Sequence, residues 1–173
     1  MTRPLKRGGT VHLCTMLYDK SLEICMRYKT NCQFHNLNFH DSPVSKIDIE
    51  NGCICLYLEF ANILPEHVDN PHSVAKCIDN CVLTFHGVTK SIASVYNDET
   101  QTFEEHQYPK APIDEEILEA ISSVNEEGGV SYTLKGFHLT GWTEWHITSS
   151  GFELAWSRYS QDAWFVDWPP KSS

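Results

Sequence analysis

The stretch Phe34–Phe60, FHNLNFHDSPVSKIDIENGCICLYLEF, decides how this chain folds. Asn51-Gly52 is the preferred two-residue type I′ turn, because both central positions of that turn need φ > 0. A two-residue loop pairs Glu50 with Cys53, Asp48 with Cys55 and Lys46 with Tyr57. On the other face Ile49 meets Ile54 and Ile47 meets Leu56. The apolar sets of both arms fall on one side, and a slip of one residue would separate them, so the register is well specified. The arm is entered through His40-Asp41-Ser42-Pro43. Ser42 precedes a proline and is pushed towards extended geometry. The Asp41 carboxylate can bond its own backbone and shape the entry turn.

Outward from this hairpin, strand patterns dominate. CVLTFHGV (81–88) alternates, with Gly87 as a bulge or bend. Ser91–Tyr96 reads as a strand, and 97–112 as a long loop or ragged edge strand. Val130, Tyr132 and Leu134 alternate, followed by Phe137–Leu139 and Trp142–Thr148, broken at Gly136 and Gly141. Ser149-Ser150-Gly151 is expected to close a hairpin onto Phe152, Leu154 and Trp156. Ala163–Trp168 is expected to add a last strand. Two short strands, or a helix, fit 10–18 and 22–28. Asn70-Pro71 resembles a helix start, with a short helix over 72–79. The best helical pattern is 113–124. There Ile113, Ile117, Leu118, Ile121 and Val124 form a stripe, and Asp114, Glu115 and Glu116 occupy the first turn. The expected fold is mainly β, a β-rich α+β chain. An antiparallel sheet, rolled or sandwiched, carries one main helix near 113–124.

The chain has 173 residues and fits one domain with a substantial core. Residues 1–9 read as a flexible basic leader, 10–168 as a single β-rich domain and 169–173 as a tail. Met16 and Met26 leave open a translation start inside this chain, which N-terminal sequencing of the native protein would decide. Net charge is −10. Residues 1–30 carry six Lys/Arg and two acids, and the remainder seven and twenty-one, so the body is strongly acidic. That charge argues against non-specific nucleic-acid binding and suits a basic protein partner or cations, although solubility alone also explains it. No 18-residue apolar run suggests a membrane span. Seven cysteines, an odd number without a secretory signal, read as free thiols in a cytoplasmic setting.

His40-Asp41 offers a base and its orienter, or two metal ligands, for a small metal-dependent or His/Asp hydrolase. Adjacent residues of an extended chain point to opposite faces, which favours a structural role at the turn. Catalysis or metal binding there would need His35, His86 or His138 to converge on it. Cys53 and Cys55 lie about 6.5–7 Å apart on one strand face, a poor chelate, and no C-x-x-C pair exists. Buried inert thiols are therefore the expectation. Glu66-His67-x-Asp69-x-x-His72 has ligand residue types but lacks the paired histidines of a helical zinc site, and reads as a solvated loop. No nucleotide, dinucleotide or serine-hydrolase fingerprint is present, so no cofactor and no metal is assigned. Glu104, Glu105, Asp114, Glu115, Glu116 and Glu119, with Glu126 and Glu127, form the densest acidic region and a possible docking surface. Of Trp142 and Trp145, one is expected in the core, and the other is a candidate binding anchor.

The segment Phe39-His40-Asp41-Ser42-Pro43-Val44, with Ile47, Ile49 and the hairpin, resembles the opening of a group of small bacterial proteins. Leu83-Thr84-Phe85-His86-Gly87-Val88 resembles their later Leu-x-Phe-x-Gly-Val strand. The group includes immunity proteins of polymorphic toxin systems, and the resemblance covers residues 34–97. It implies a β-rich fold and carries no catalytic residues over; the basic leader and the cysteines depart from it. The leading expectation is thus a protein-binding module that neutralises a basic toxin through an acidic surface. The alternatives are the hydrolase above, and an accessory domain without catalysis that associates through an exposed sheet edge.

Overall fold

In the computed structural model, residues 26–107, 112–124, 129–138 and 141–168 are described. Their strands are β1 (Tyr28–Thr30), β2 (Leu37–Asn38), β3 (Ser42–Glu50), β4 (Cys53–Ile63), β5 (Lys76–His86) and β6 (Lys90–Asn97). Then come β7 (Thr102–Gln107), β8 (Glu116–Val124), β9 (Val130–His138), β10 (Gly141–Ser149), β11 (Gly151–Trp156) and β12 (Arg158–Asp162). One turn of 3-10 helix spans Phe34–Asn36. The strands form one antiparallel sheet in the order β1-β11-β5-β4-β3-β8-β9-β10-β6-β7, with β12 beside β5 and β2 beside β4. Residues 1–25 and 169–173 lie outside the described residues. So do the leader, most of the expected strands at 10–18 and 22–28, the tail, and Glu126 and Glu127.

The β3–β4 hairpin has the register read from sequence: Glu50 opposite Cys53, Ile49 opposite Ile54, Asp48 opposite Cys55, Ile47 opposite Leu56 and Lys46 opposite Tyr57. Asn51 and Gly52 both have positive φ, 52° and 73°, as a type I′ turn demands. Beyond Lys46 the register shifts by one residue, so that Val44 faces Leu58. Ser45 is the extra residue of this bulge, and its hydroxyl donates to the Tyr57 carbonyl at 3.0 Å. The bulge resets the alternation, so Val44 and Ile47, three apart in sequence, both pack on the core.

The two halves of the sheet meet where Ser42 and Pro43 of β3 pair with Ile117 and Glu116 of β8. They fold over each other, and their inner faces close the core. Tyr132 of β9 packs its ring on Phe85 of β5 at 4.8 Å and on Phe34 at 4.9 Å between centroids. Trp145 of β10 is fully buried and donates its indole N–H to Ser91 at 2.9 Å. On the far side, β5 turns directly into β6 through Gly87, and β10 turns into β11 through Ser150. Strands that change halves through a bend make such corners.

Four expectations are corrected. No α-helix is present among the described residues, and 116–124 is strand β8. Four of the five residues in the supposed helical stripe, Ile113, Ile117, Ile121 and Val124, are β-branched and favour a pleated surface. A register shift against β9 between Ile117 and Glu119 produces the irregular apolar spacing that mimics a helical period. Ile121 and Val124 are exposed, at 49% and 76%, which a core-facing helix stripe would not allow. The short helix at 72–79 is replaced by a loop and the start of β5. Asn70 organises this loop by donating its amide to the carbonyls of Ile63, Leu64 and Val74 at 3.0, 3.1 and 3.0 Å. Finally, Ser149-Ser150-Gly151 is no hairpin: β11 pairs with β5 and β1, and Ala163–Trp168 forms turns after β12.

Candidate partner-binding face

The outer surface of the β8-β9-β10-β6-β7 half follows from strand alternation. On β10, Thr143, Trp145, Ile147 and Ser149 are buried, so Trp142, Glu144, His146 and Thr148 point outward. The pairings align these positions across five strands. Glu105 lies opposite Ser94, Ser94 opposite Glu144, Glu144 opposite Lys135, and Lys135 opposite Glu119. This is one continuous outward row holding three carboxylates and one ammonium. Glu119 bonds Lys135 at 2.8 Å, and that bond raises the lysine above its usual range. The row's three carboxylates outnumber its one ammonium, and Glu144 also lies 4.0 Å from His146 Nε2 in the next row.

The neighbouring row is aromatic. Phe103 lies opposite Tyr96, and Trp142 opposite Phe137. Tyr96 and Trp142 flank the Val95–Thr143 pair, which puts them in line. The rings meet edge-on at 5.2 Å for Tyr96–Phe103 and 5.7 Å for Phe137–Trp142. Phe103 and Phe137 are 54% and 37% exposed. The next row on the other side carries Gln107, Ile92, His146, Thr133 and Ile121, with Thr133 and His146 hydrogen-bonded at 3.0 Å. A band of two exposed and two half-buried rings beside a band of carboxylates can hold a basic, partly apolar surface. Rings attract cations through their faces and carboxylates attract them by charge.

The structure brings together only some of the residues singled out by sequence. Glu105, Glu119 and Trp142 share this face. Glu104 belongs to the same edge strand but points to the other side, where it accepts from the Asn97 amide at 2.7 Å. Asp114, Glu115 and Glu116 cluster at the junction with β3; Asp114 lies 3.7 Å from His138, and the Glu115 carbonyl accepts from the Val44 amide at 2.8 Å. Trp145, named as a candidate anchor, is inaccessible in the core, and of these two tryptophans only Trp142, half-buried on the outer face, is open to a partner. Glu144, Phe103, Tyr96 and Phe137 complete the face without any mark in the local sequence. Their grouping needs the pairing of β6 with β10, which are far apart in the chain, and no local pattern announces it.

His40-Asp41-Ser42 forms the entry corner. The Ser42 amide bonds the Phe39 carbonyl at 3.0 Å, Asp41 has φ 58°, and His40 Nδ1 donates to the Leu118 carbonyl at 2.8 Å. His40 also lies against the Trp164 ring at 5.8 Å. The other histidines do not gather there: His86 neighbours Cys53 at 3.9 Å and His138 neighbours Asp114. Cys53, Cys55, Cys77 and Cys81 are buried, as expected of packed thiols, and burial pushes the Cys77 and Cys81 thiols up; Cys32 is exposed. The 66–72 loop is only partly solvated, since His67 and Asn70 are buried. Among the described residues one group of three ligand-bearing side chains converges, Cys32, His67 and Asp69. No helix among the described residues is long and apolar enough to cross a membrane. No protein-family model, no curated protein and no solved structure matches this chain.

Proposed function

We propose that this chain is a protein-binding module that docks a basic partner on the outer face of β8-β9-β10-β6-β7. The observation that supports this reading is the adjacency of two rows on one face: Phe103, Tyr96, Trp142 and Phe137 beside Glu105, Glu144 and Glu119. The rings supply apolar area with little entropy to lose, and the carboxylates select for positive charge and speed encounter. The net charge of −10 acts in the same direction at long range. In its specific form the proposal is an immunity-type protein of the bacterial cytoplasm that covers the active site or substrate path of a basic toxin. It adopts the resemblance of Phe39–Val44 and Leu83–Val88.

The test is site-directed photocrosslinking in the source cells. A photoreactive residue replaces Trp142 in one variant and Glu153, on β11 of the other half, in a second. The proposal expects one basic protein crosslinked from position 142 and not from 153, encoded beside this gene if the immunity reading holds. Equal crosslinking from both positions, or an acidic adduct, contradicts it.

A further inference from the structure

A different part of the molecule carries chemistry that the partner face does not use. We propose that Cys32, His67 and Asp69 form a binding site for a thiophilic divalent metal ion, of which zinc is the type. One ligand atom from each residue lies within 4.8 Å of the other two, although Cys32 is 35 positions from His67 in the chain. A tetrahedral zinc ion with its usual bond lengths separates such S, N and O ligands by about 3.4–3.6 Å. The triangle therefore needs to close by roughly 1.3 Å or less, within the reach of side-chain rotation by the exposed Cys32 and Asp69.

The least mobile of the three side chains is the histidine. The His67 side chain is 0% exposed. Its Nδ1 accepts from the Asp69 amide at 3.1 Å, which places the ring proton on Nε2. Nε2 then donates to the Cys32 carbonyl at 3.1 Å, with the Thr30 hydroxyl at 3.5 Å. A backbone carbonyl holding one ring N–H while the other nitrogen faces the ion is the usual outer support of a metal-bound histidine. Nδ1 is the nitrogen nearer the carboxylate, 3.9 Å from Asp69 Oδ2. Nδ1 has one in-plane lone pair, so a coordinate bond there requires the Asp69 amide to turn away from the ring, and this local movement of the 68–69 backbone accompanies metal binding.

The two chain segments are clamped together independently of any ion. Gln33 accepts from the Val68 amide at 2.9 Å, the Leu64 amide donates to the Asn36 carbonyl at 3.0 Å, and the Tyr159 hydroxyl donates to the Asp69 carbonyl. Asn70 fixes the loop from within. A thiolate, an imidazole and a carboxylate suit zinc and its neighbours in the first transition row and disfavour magnesium and calcium, which take oxygen ligands. Exposed Cys32 and Asp69 place the fourth position towards solvent.

Cobalt(II) titration of the full reduced chain, purified without chelator, tests the site. Cobalt(II) bound to a thiolate shows a charge-transfer band that reports the sulfur ligand directly. The variants are Cys32→Ser and Asp69→Asn, both at exposed positions, and melting in the presence of chelator establishes that each folds. The expected result is one cobalt per chain, the band absent in Cys32→Ser, and affinity lowered by about tenfold or more in Asp69→Asn. No stoichiometric binding, a band that persists in Cys32→Ser, or unchanged affinity in Asp69→Asn overturns the proposal.

Discussion

Among the described glycines, Gly136 is the one where an added methyl group would meet backbone most closely. It lies on β9 opposite Ile117. A Cβ there would stand 2.2 Å from the Glu116 carbonyl oxygen and 3.0 Å from Ile113 Cγ2. Ordinary carbon–oxygen contacts are about 3.3 Å or longer, so the carbonyl must retreat by roughly 1 Å. It cannot do so alone. Glu116 pairs with Pro43 at the junction of the two halves, and the Asp114 and Glu115 amides bond the Phe137 carbonyl at 3.2 and 3.4 Å. Overpacking of about 1–3 kcal/mol and the weakening of one or two hydrogen bonds worth about 1 kcal/mol each give a loss near 3 kcal/mol for Gly136→Ala. For a chain of 173 residues this lowers the melting temperature by about 6–12 °C. Gly151→Ala is the matched control, because a Cβ there meets nothing within 4 Å. It is expected to leave stability unchanged or raise it by about 0.5 kcal/mol through the unfolded chain. Thermal and urea unfolding of both variants make the comparison. Equal behaviour of the two, or a Gly136→Ala midpoint within about 1 °C of wild type, would refute the close approach of β8 and β9.

Three further outcomes are expected. Gly52→Ala, at φ 73° with open space around it, costs about 1–2 kcal/mol from backbone conformation alone, read by urea unfolding. Ser91→Ala strands the buried Trp145 N–H and costs about 1–3 kcal/mol. Trp145→Phe added to it then costs less than the two single losses summed, as a double-mutant cycle would register. Burial, the Asp69 charge and Tyr28 push the Tyr159 phenol up to about 12, from about 10 in an unfolded chain. The folded state therefore favours the neutral phenol, and this contribution is fully present below pH 10 and lost as pH rises to 12. Base titration of unfolding should show a shallower loss across that window in Tyr159→Phe, and identical slopes would contradict the assignment.

What could be read from sequence was what is decided locally. Asn51-Gly52 and the matched alternation around it fix both register and facing, because a two-residue turn leaves no freedom in pairing. The role of His40-Asp41-Ser42-Pro43 as an entry corner follows equally from short-range geometry. The 113–124 segment failed because a single strand irregularity at Leu118 turned an alternating pattern into one that resembles a helix; its β-branched content was the signal that argued the other way. The partner face was legible only in pieces. Glu105, Glu119 and Trp142 stand out by their chemistry, but the two adjacent rows that hold them depend on β6 lying between β10 and β7. Burial of Trp145 instead of Trp142 depends on the phase of β10. The Cys32–His67–Asp69 group was hidden for a related reason, since the loop carrying His67 folds back on a segment that precedes the hairpin.

The proposed docking of a basic partner rests on the acidic and aromatic rows acting together. The most direct measurement is the affinity for the crosslinked partner of wild type, Glu105→Lys/Glu144→Lys and Lys29→Glu, at low and high salt. Lys29 lies on β1, at the other edge of the sheet. The double reversal is expected to weaken binding by at least about tenfold and to flatten its salt dependence, while Lys29→Glu leaves both nearly unchanged. Affinity and salt dependence unaltered by the double reversal would contradict it.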